Sequence, residues 1–100
     1  MIRRGTTPTH VFNTSLDLTG ATKLYITYAQ RGANLIEKDL EDCTVTSSSV
    51  TVVLTQEESL KLDPKTEVEI QIRALLSGDV AVASNIIKTE AGKILKGGVI

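Results

Sequence analysis

Between Thr66 and Leu75, Val68, Ile70, Ile72 and Ala74 alternate with Glu67, Glu69, Gln71 and Arg73. Successive side chains of an extended chain point to opposite faces, so this two-residue period predicts a strand with one dry face and one wet face. On a helix the same apolar positions would spread around the cylinder and leave no core-facing stripe. The rule repeats in Val50, Val52 and Leu54 against Thr51 and Thr55, and in Leu24, Ile26 and Tyr28 against Tyr25 and Thr27, with β-branched and aromatic residues enriched. Weaker strands are expected at His10–Ser15, Asn34–Lys38, Cys43–Thr46 and Val80–Thr89. Their shared register points Ile26, Val52, Leu54, Val68, Ile70 and Ile72 into one core between two antiparallel sheets.

Turn residues punctuate these runs at Leu18-Thr19-Gly20, Arg31-Gly32, Ser47-Ser48-Ser49, Leu62-Asp63-Pro64 and Ser77-Gly78-Asp79. Hairpins are expected between Cys43–Thr46 and Val50–Leu54, and between Thr66–Leu75 and Val80–Thr89. Thr55 followed by Glu58 reads as a capping box, predicting one short helical turn near residues 56–61 that ends at Asp63-Pro64. The pattern predicts an all-β, immunoglobulin-like antiparallel β-sandwich over residues 1–90, with residues 91–100 as a C-terminal segment.

Composition narrows the function. The 100 residues suit one domain, and 41% hydrophobic with 23% charged residues lies near the globular average, away from chains that stay disordered. Eleven basic and twelve acidic residues leave a net charge of -1, so neither nucleic acid nor an anionic membrane is an expected partner. No apolar run approaches the length of a membrane span, and Met1 to Thr9 lacks the apolar stretch of a secretory leader, so synthesis in the cytoplasm is expected. Cys43 is the only cysteine, which excludes an internal disulfide and any multi-cysteine metal site.

Residues that carry chemistry are few. His10 is the single histidine, in a stretch of Thr, Val and Phe, and reads as a surface or edge-strand residue without a catalytic companion. Cys43 lacks a neighbour that would lower its pKa and is expected to pack as a small hydrophobe. Asp39, Glu41 and Asp42 lack the spacing of a calcium loop and read as a solvated turn. Gly92, Gly97 and Gly98 do not lead from a strand into a helix, so no phosphate cradle is expected. Phe12, Tyr25 and Tyr28 are assigned to the core. No catalytic, cofactor or metal site is predicted.

Two features suggest a protein interface instead. Arg3 and Arg4 offer charge for an acidic partner, and Ile94, Leu95, Val99 and Ile100 are too apolar for a segment meant only for solvent. Either the segment folds back on its own domain as an edge strand or cap, or Gly92 is a hinge that lets it add to another subunit.

Three stretches carry a resemblance: Arg4-Gly5-Thr6-Thr7-Pro8, Leu16-Asp17-Leu18-Thr19-Gly20-Ala21 before Lys23-Leu24-Tyr25-Ile26, and Val53-Leu54-Thr55-Gln56-Glu57-Glu58-Ser59-Leu60. The chain resembles small tail or baseplate proteins of phages and prophages of Gram-positive bacteria and, more distantly, the N-terminal immunoglobulin-like domain of baseplate upper proteins. The resemblance implies a non-enzymatic virion structural or assembly role, with other tail and baseplate proteins as partners, a homo-oligomer in the particle and no cofactor. The competing expectations are a carbohydrate-binding adhesion module and a small protease or hydrolase inhibitor.

Overall fold

Alternation along the chain becomes two facing layers of strands in the computed structural model, which describes residues 1–100. The strands are β1 (Ile2–Arg3), β2 (Thr9–Asn13), β3 (Ala21–Gln30), β4 (Ala33–Asp39), β5 (Cys43–Val45), β6 (Ser49–Val53), β7 (Glu67–Leu76), β8 (Val80–Ala83) and β9 (Ile87–Gly92). The larger sheet has the order β1-β9-β7-β3-β4 with β8 also on β7, and the smaller is β2-β6-β5. Apart from the parallel β1–β9 pair, every pairing is antiparallel. A second, sixth and fifth strand facing the seventh, third and fourth is the strand distribution of an immunoglobulin-like sandwich.

The core sits where the dry faces meet. Leu24, Ile26 and Tyr28 of β3 pair with Ala74, Ile72 and Ile70 of β7, and across the gap lie Val50 and Val52 of β6, followed by Leu54. All six residues expected in the core are buried. Tyr25 departs from expectation: it occupies the opposite parity of β3 from Tyr28 and is 40% exposed on the outer face.

Other differences have local causes. Arg31 and Gly32 both adopt positive φ, which closes a two-residue hairpin between β3 and β4 whose backbone twist matches its strands. The stretch expected as one strand, Val80–Thr89, is two: Ser84-Asn85-Ile86 interrupts it. Ser84 fills the break, because its N–H donates to the Ile72 carbonyl and its Oγ accepts from the Ile72 N–H at 3.0 Å. The final strand continues to Gly92, two residues past the expected domain boundary, and Ala91 and Gly92 are buried.

Helix α1 (Gln56–Leu60) forms as the capping box predicts. Thr55 Oγ1 accepts the Glu58 N–H at 3.1 Å, while a Glu58 carboxylate oxygen accepts the Thr55 N–H at 2.9 Å. The acidic turn is more ordered than expected. Leu40–Asp42 is a single 3-10 turn in which Asp39 and Asp42 cap one another's backbone, and Glu41 and Asp42 remain exposed.

Candidate functional site

Of the six residues predicted to meet partners, Arg3, Arg4 and Ile94 engage their side chains within the chain. Arg4 donates from Nε to the Leu62 carbonyl at 2.6 Å and from Nη2 to the Leu60 carbonyl at 2.9 Å, so its fork closes the end of α1. Arg3 Nη1 donates to the Lys93 carbonyl at 3.0 Å. Ile94 is half-buried over Gly5, where an added Cβ would come within 2.8 Å of Ile94 Cδ1 and 3.4 Å of Leu60 Cδ2. Gln56 holds Ile100 by its backbone, donating to its oxygen at 3.2 Å and accepting its N–H at 2.8 Å. Leu95, Val99 and Ile100 present their side chains to solvent. Gly92 is no hinge: it is paired in β9, its carbonyl accepts the Arg4 N–H, and a side chain there would collide with Met1 and Arg3.

Between the sheets runs a polar row. On β2, His10 lies opposite Val52 and therefore faces the interior, where its Nδ1 is 2.6 Å from the hydroxyl of fully buried Tyr28. His10 thus has a companion that the local sequence hid, because Tyr28 is eighteen residues away. Burial, with the positive chain terminus, lowers the His10 pKa; burial, with the negative charges of Cys43 and Glu58, raises that of Tyr28 far above the phenol range. Beside them Lys38 points inward from β4 and donates to both carboxylate oxygens of Glu58 at 2.7 and 3.0 Å. Burial pushes the Glu58 carboxyl up, but the bonds from Lys38 and Thr55 outweigh it and hold its pKa below the ordinary value. Cys43 is half-buried, donates to the Asp39 carbonyl, and has its thiol pKa raised by burial and by Asp42 and Asp39. Each of these groups is paired within the fold: His10–Tyr28 joins the two layers, and Lys38–Glu58 ties β4 to α1.

The surface that is unspent lies along β2. The Leu54 N–H donates to the Pro8 carbonyl and the Thr14 N–H to the Ser48 carbonyl. These bonds set the phase of the ladder: even-numbered residues of β2 turn their backbone toward β6, and Thr9, Val11 and Asn13 turn theirs to the open edge. The outer face of this sheet carries Thr9, Val11, Asn13, Thr44, Ser49, Thr51 and Val53, without one charge. The opposite outer face carries Lys23, Glu37, Glu67, Glu69 and Arg73. Beside the β2 edge, between the layers, opens a groove of about 420 Å³ lined in part by Phe12, Leu16, Ile72, Val82 and Ile87.

Comparison with protein-family models, curated proteins and solved structures returns no match. The chemistry of the site therefore rests on its own residues.

An edge of free amides and carbonyls next to an apolar groove can accept an extended chain, with backbone hydrogen bonds giving affinity and alternate side chains entering the groove. The signal was present in the sequence as the kind of polar residue that alternates. Around Val11 and Val52 it is Thr, Ser and Asn; around Ile70 it is Glu, Gln and Arg. No cluster of three or more His, Cys, Asp or Glu is placed to hold a metal ion.

Proposed function

We propose that the chain is a non-enzymatic structural module of a phage or prophage tail or baseplate, acting through protein–protein contacts in the assembled particle. The observation that carries the interaction role is the side of the sandwich where the free β2 edge, the uncharged outer face and the apolar groove adjoin. The particle itself comes from the resemblance of the Arg4–Pro8, Leu16–Ile26 and Val53–Leu60 stretches. The polar row suits a part that must keep its shape in an assembly, because His10–Tyr28 links the two layers and Lys38–Glu58 ties β4 to α1 through side chains. Mass spectrometry of purified particles from the host encoding the chain should find it at a fixed ratio to the tail proteins, with cross-links to them. A chain abundant in the lysate and missing from intact particles would refute the assignment.

A second reading has one observation in its favour. Tyr25 stands exposed on the large sheet, in a shallow polar hollow with Lys23, Asn34, Glu37 and Arg73, a setting in which a sugar ring stacks on an aromatic face. Glycan binding that disappears in Tyr25→Ala would favour this adhesion reading over the first.

A further inference from the structure

The outer face of the large sheet divides its charge unevenly. The parity that buries Leu24, Ile26, Ile70 and Ile72 turns Lys23, Tyr25, Thr27, Gln71 and Arg73 outward. The β3–β7 register sets Tyr25 beside Arg73 and Lys23 beside Leu75, which makes Lys23 and Arg73 diagonal neighbours about 7–8 Å apart, within reach of long side chains. Neither cation has an acid paired with it on the sheet. Beyond Arg73 lies Ala83 and beyond Leu75 lies Ala81, and β4 ends before it reaches Lys23. The three ion pairs of the fold, Arg31–Asp63, Lys38–Glu58 and Lys88–Glu67, leave both cations out. Asp39, on the other side of Tyr25, accepts the Glu41 N–H at 3.1 Å and is committed to its turn. Two cations held this close without a counter-charge repel each other, and an anion set between them relieves that repulsion.

The surroundings suit a sugar. The small side chain of Ala81 helps to leave a hollow of about 480 Å³ over the sheet, within the size range of small-molecule sites, and Tyr25 offers it an open ring. Farther along the same hollow Glu37 lies opposite Thr27, and Asn34 lies opposite Ala29. A carboxylate accepts hydrogen bonds from hydroxyls, and an amide both donates and accepts. The hollow is therefore polarised, with two cations at one end, Glu37 and Asn34 at the other, and the aromatic ring between them. A polymer charged at every unit would run from the cations onto Glu37, Glu67 and Glu69 of the same face. The fit is to one anionic group flanked by neutral hydroxyls.

We infer that this hollow binds an acidic sugar, a glycan unit bearing one carboxylate or phosphate. Arg73 and Lys23 hold the anionic group, the ring stacks on Tyr25, and the hydroxyls meet Glu37 and Asn34. The inference rests on the adhesion reading of Tyr25 and adds to it the charge of the ligand.

An array of acidic glycans, each set beside its uncharged counterpart, tests this on the full chain: glucuronic acid units against glucose, and sugar 6-phosphates against the free sugars. Acidic members should bind at least about tenfold more tightly than their counterparts, and rising ionic strength should narrow the gap. Tyr25→Ala should abolish binding. Arg73→Gln and Lys23→Gln should each weaken it at least about tenfold, whereas Glu69→Gln, toward the other end of the same face, should not. These side chains lie on the outer face, so far-ultraviolet spectra should show every variant folded. Binding confined to carboxylated or to phosphorylated members supports the inference and names the anion. Equal binding of the neutral counterparts, or binding indifferent to Arg73→Gln and Lys23→Gln, overturns it and leaves the adhesion reading standing. A chain that binds no glycan overturns both. A single-stranded oligonucleotide bound through Tyr25 and Arg73, with no acidic glycan bound, overturns it as well and assigns the hollow to nucleic acid.

Discussion

The imidazole Nδ1 of His10 and the hydroxyl of Tyr28 meet at 2.6 Å between the two sheets, one residue half-buried and the other fully buried. Burial, then the positive chain terminus, lower the folded-state pKa of His10 below its ordinary 6.5. Over the window between those two values the unfolded chain binds more protons than the folded one, so stability rises with pH across it and is lost on acidification. Thermal midpoints should therefore begin to fall as pH drops through about 6.5. In His10→Gln this limb should vanish. His10→Ala should cost about 1–3 kcal/mol at neutral pH by leaving the Tyr28 hydroxyl unpaired. An unchanged pH profile in His10→Gln would show that the ring is hydrated in both states.

Lys38 and Glu58 predict a second, lower limb. The Glu58 pKa is depressed below its ordinary 4.5, so its contribution is present above that value and is lost as pH falls through the folded pKa. The pair is also asymmetric, with the Lys38 side chain 9% exposed and that of Glu58 21%. Removing the carboxylate strands the more deeply buried ion. Glu58→Gln should cost about 2–3 kcal/mol, and Lys38→Met, which leaves a carboxylate able to hydrate, about 1. Urea titrations near neutrality compare the two, and repeating them at acid pH should erase most of the difference between wild type and Glu58→Gln.

Arg4 is expected to matter for stability through its two bonds to the Leu60 and Leu62 carbonyls. An ammonium cannot reproduce the fork, so Arg4→Lys should lose about 1–2 kcal/mol. A thermal midpoint unaffected by Arg4→Ala would return the residue to the surface role first expected of it.

Strands were legible wherever one face is dry and the other wet, because that asymmetry writes a period of two into the residues. Ile70 and Gln71 show where this reading stops. Ile70 is buried as its register requires, and Ile70→Ala should cost about 2–5 kcal/mol in chemical denaturation. Gln71 reads as a neutral solvent position, yet its Nε2 donates to the Ser84 carbonyl at 3.0 Å, beside the break between β8 and β9. Gln71→Ala should therefore cost about 1 kcal/mol, more than a free surface side chain. Partners brought together by long loops leave no such periodic trace: Tyr28 for His10, Glu58 for Lys38, and the Asp63 backbone for the buried Gln30 amide. The capping box of α1 was readable because all its groups lie within four residues. The β2 edge was half-readable, since its lack of charge is in the sequence but its lack of a neighbour is a property of the topology.

The C-terminal segment gives the last test, because its four apolar residues meet different fates. Ile94 is half-buried over Gly5 beside Leu60, whereas Leu95 is 97% and Ile100 87% exposed, the latter tethered to Gln56 only through its backbone. Burying part of one isoleucine stabilises by about 1–2 kcal/mol, and exposed backbone tethers add little to that. Truncation after Lys93, which keeps β9 whole and retains the carbonyl that Arg3 bonds, should lower the thermal midpoint modestly and equally at every protein concentration. Ile94→Ala should reproduce most of that loss, while Leu95→Ala, Val99→Ala and Ile100→Ala each stay within about 0.5 kcal/mol of wild type. A truncation whose effect grows with protein concentration would mean that Leu95, Val99 and Ile100 are buried by a neighbour and that the segment's main contact is between chains.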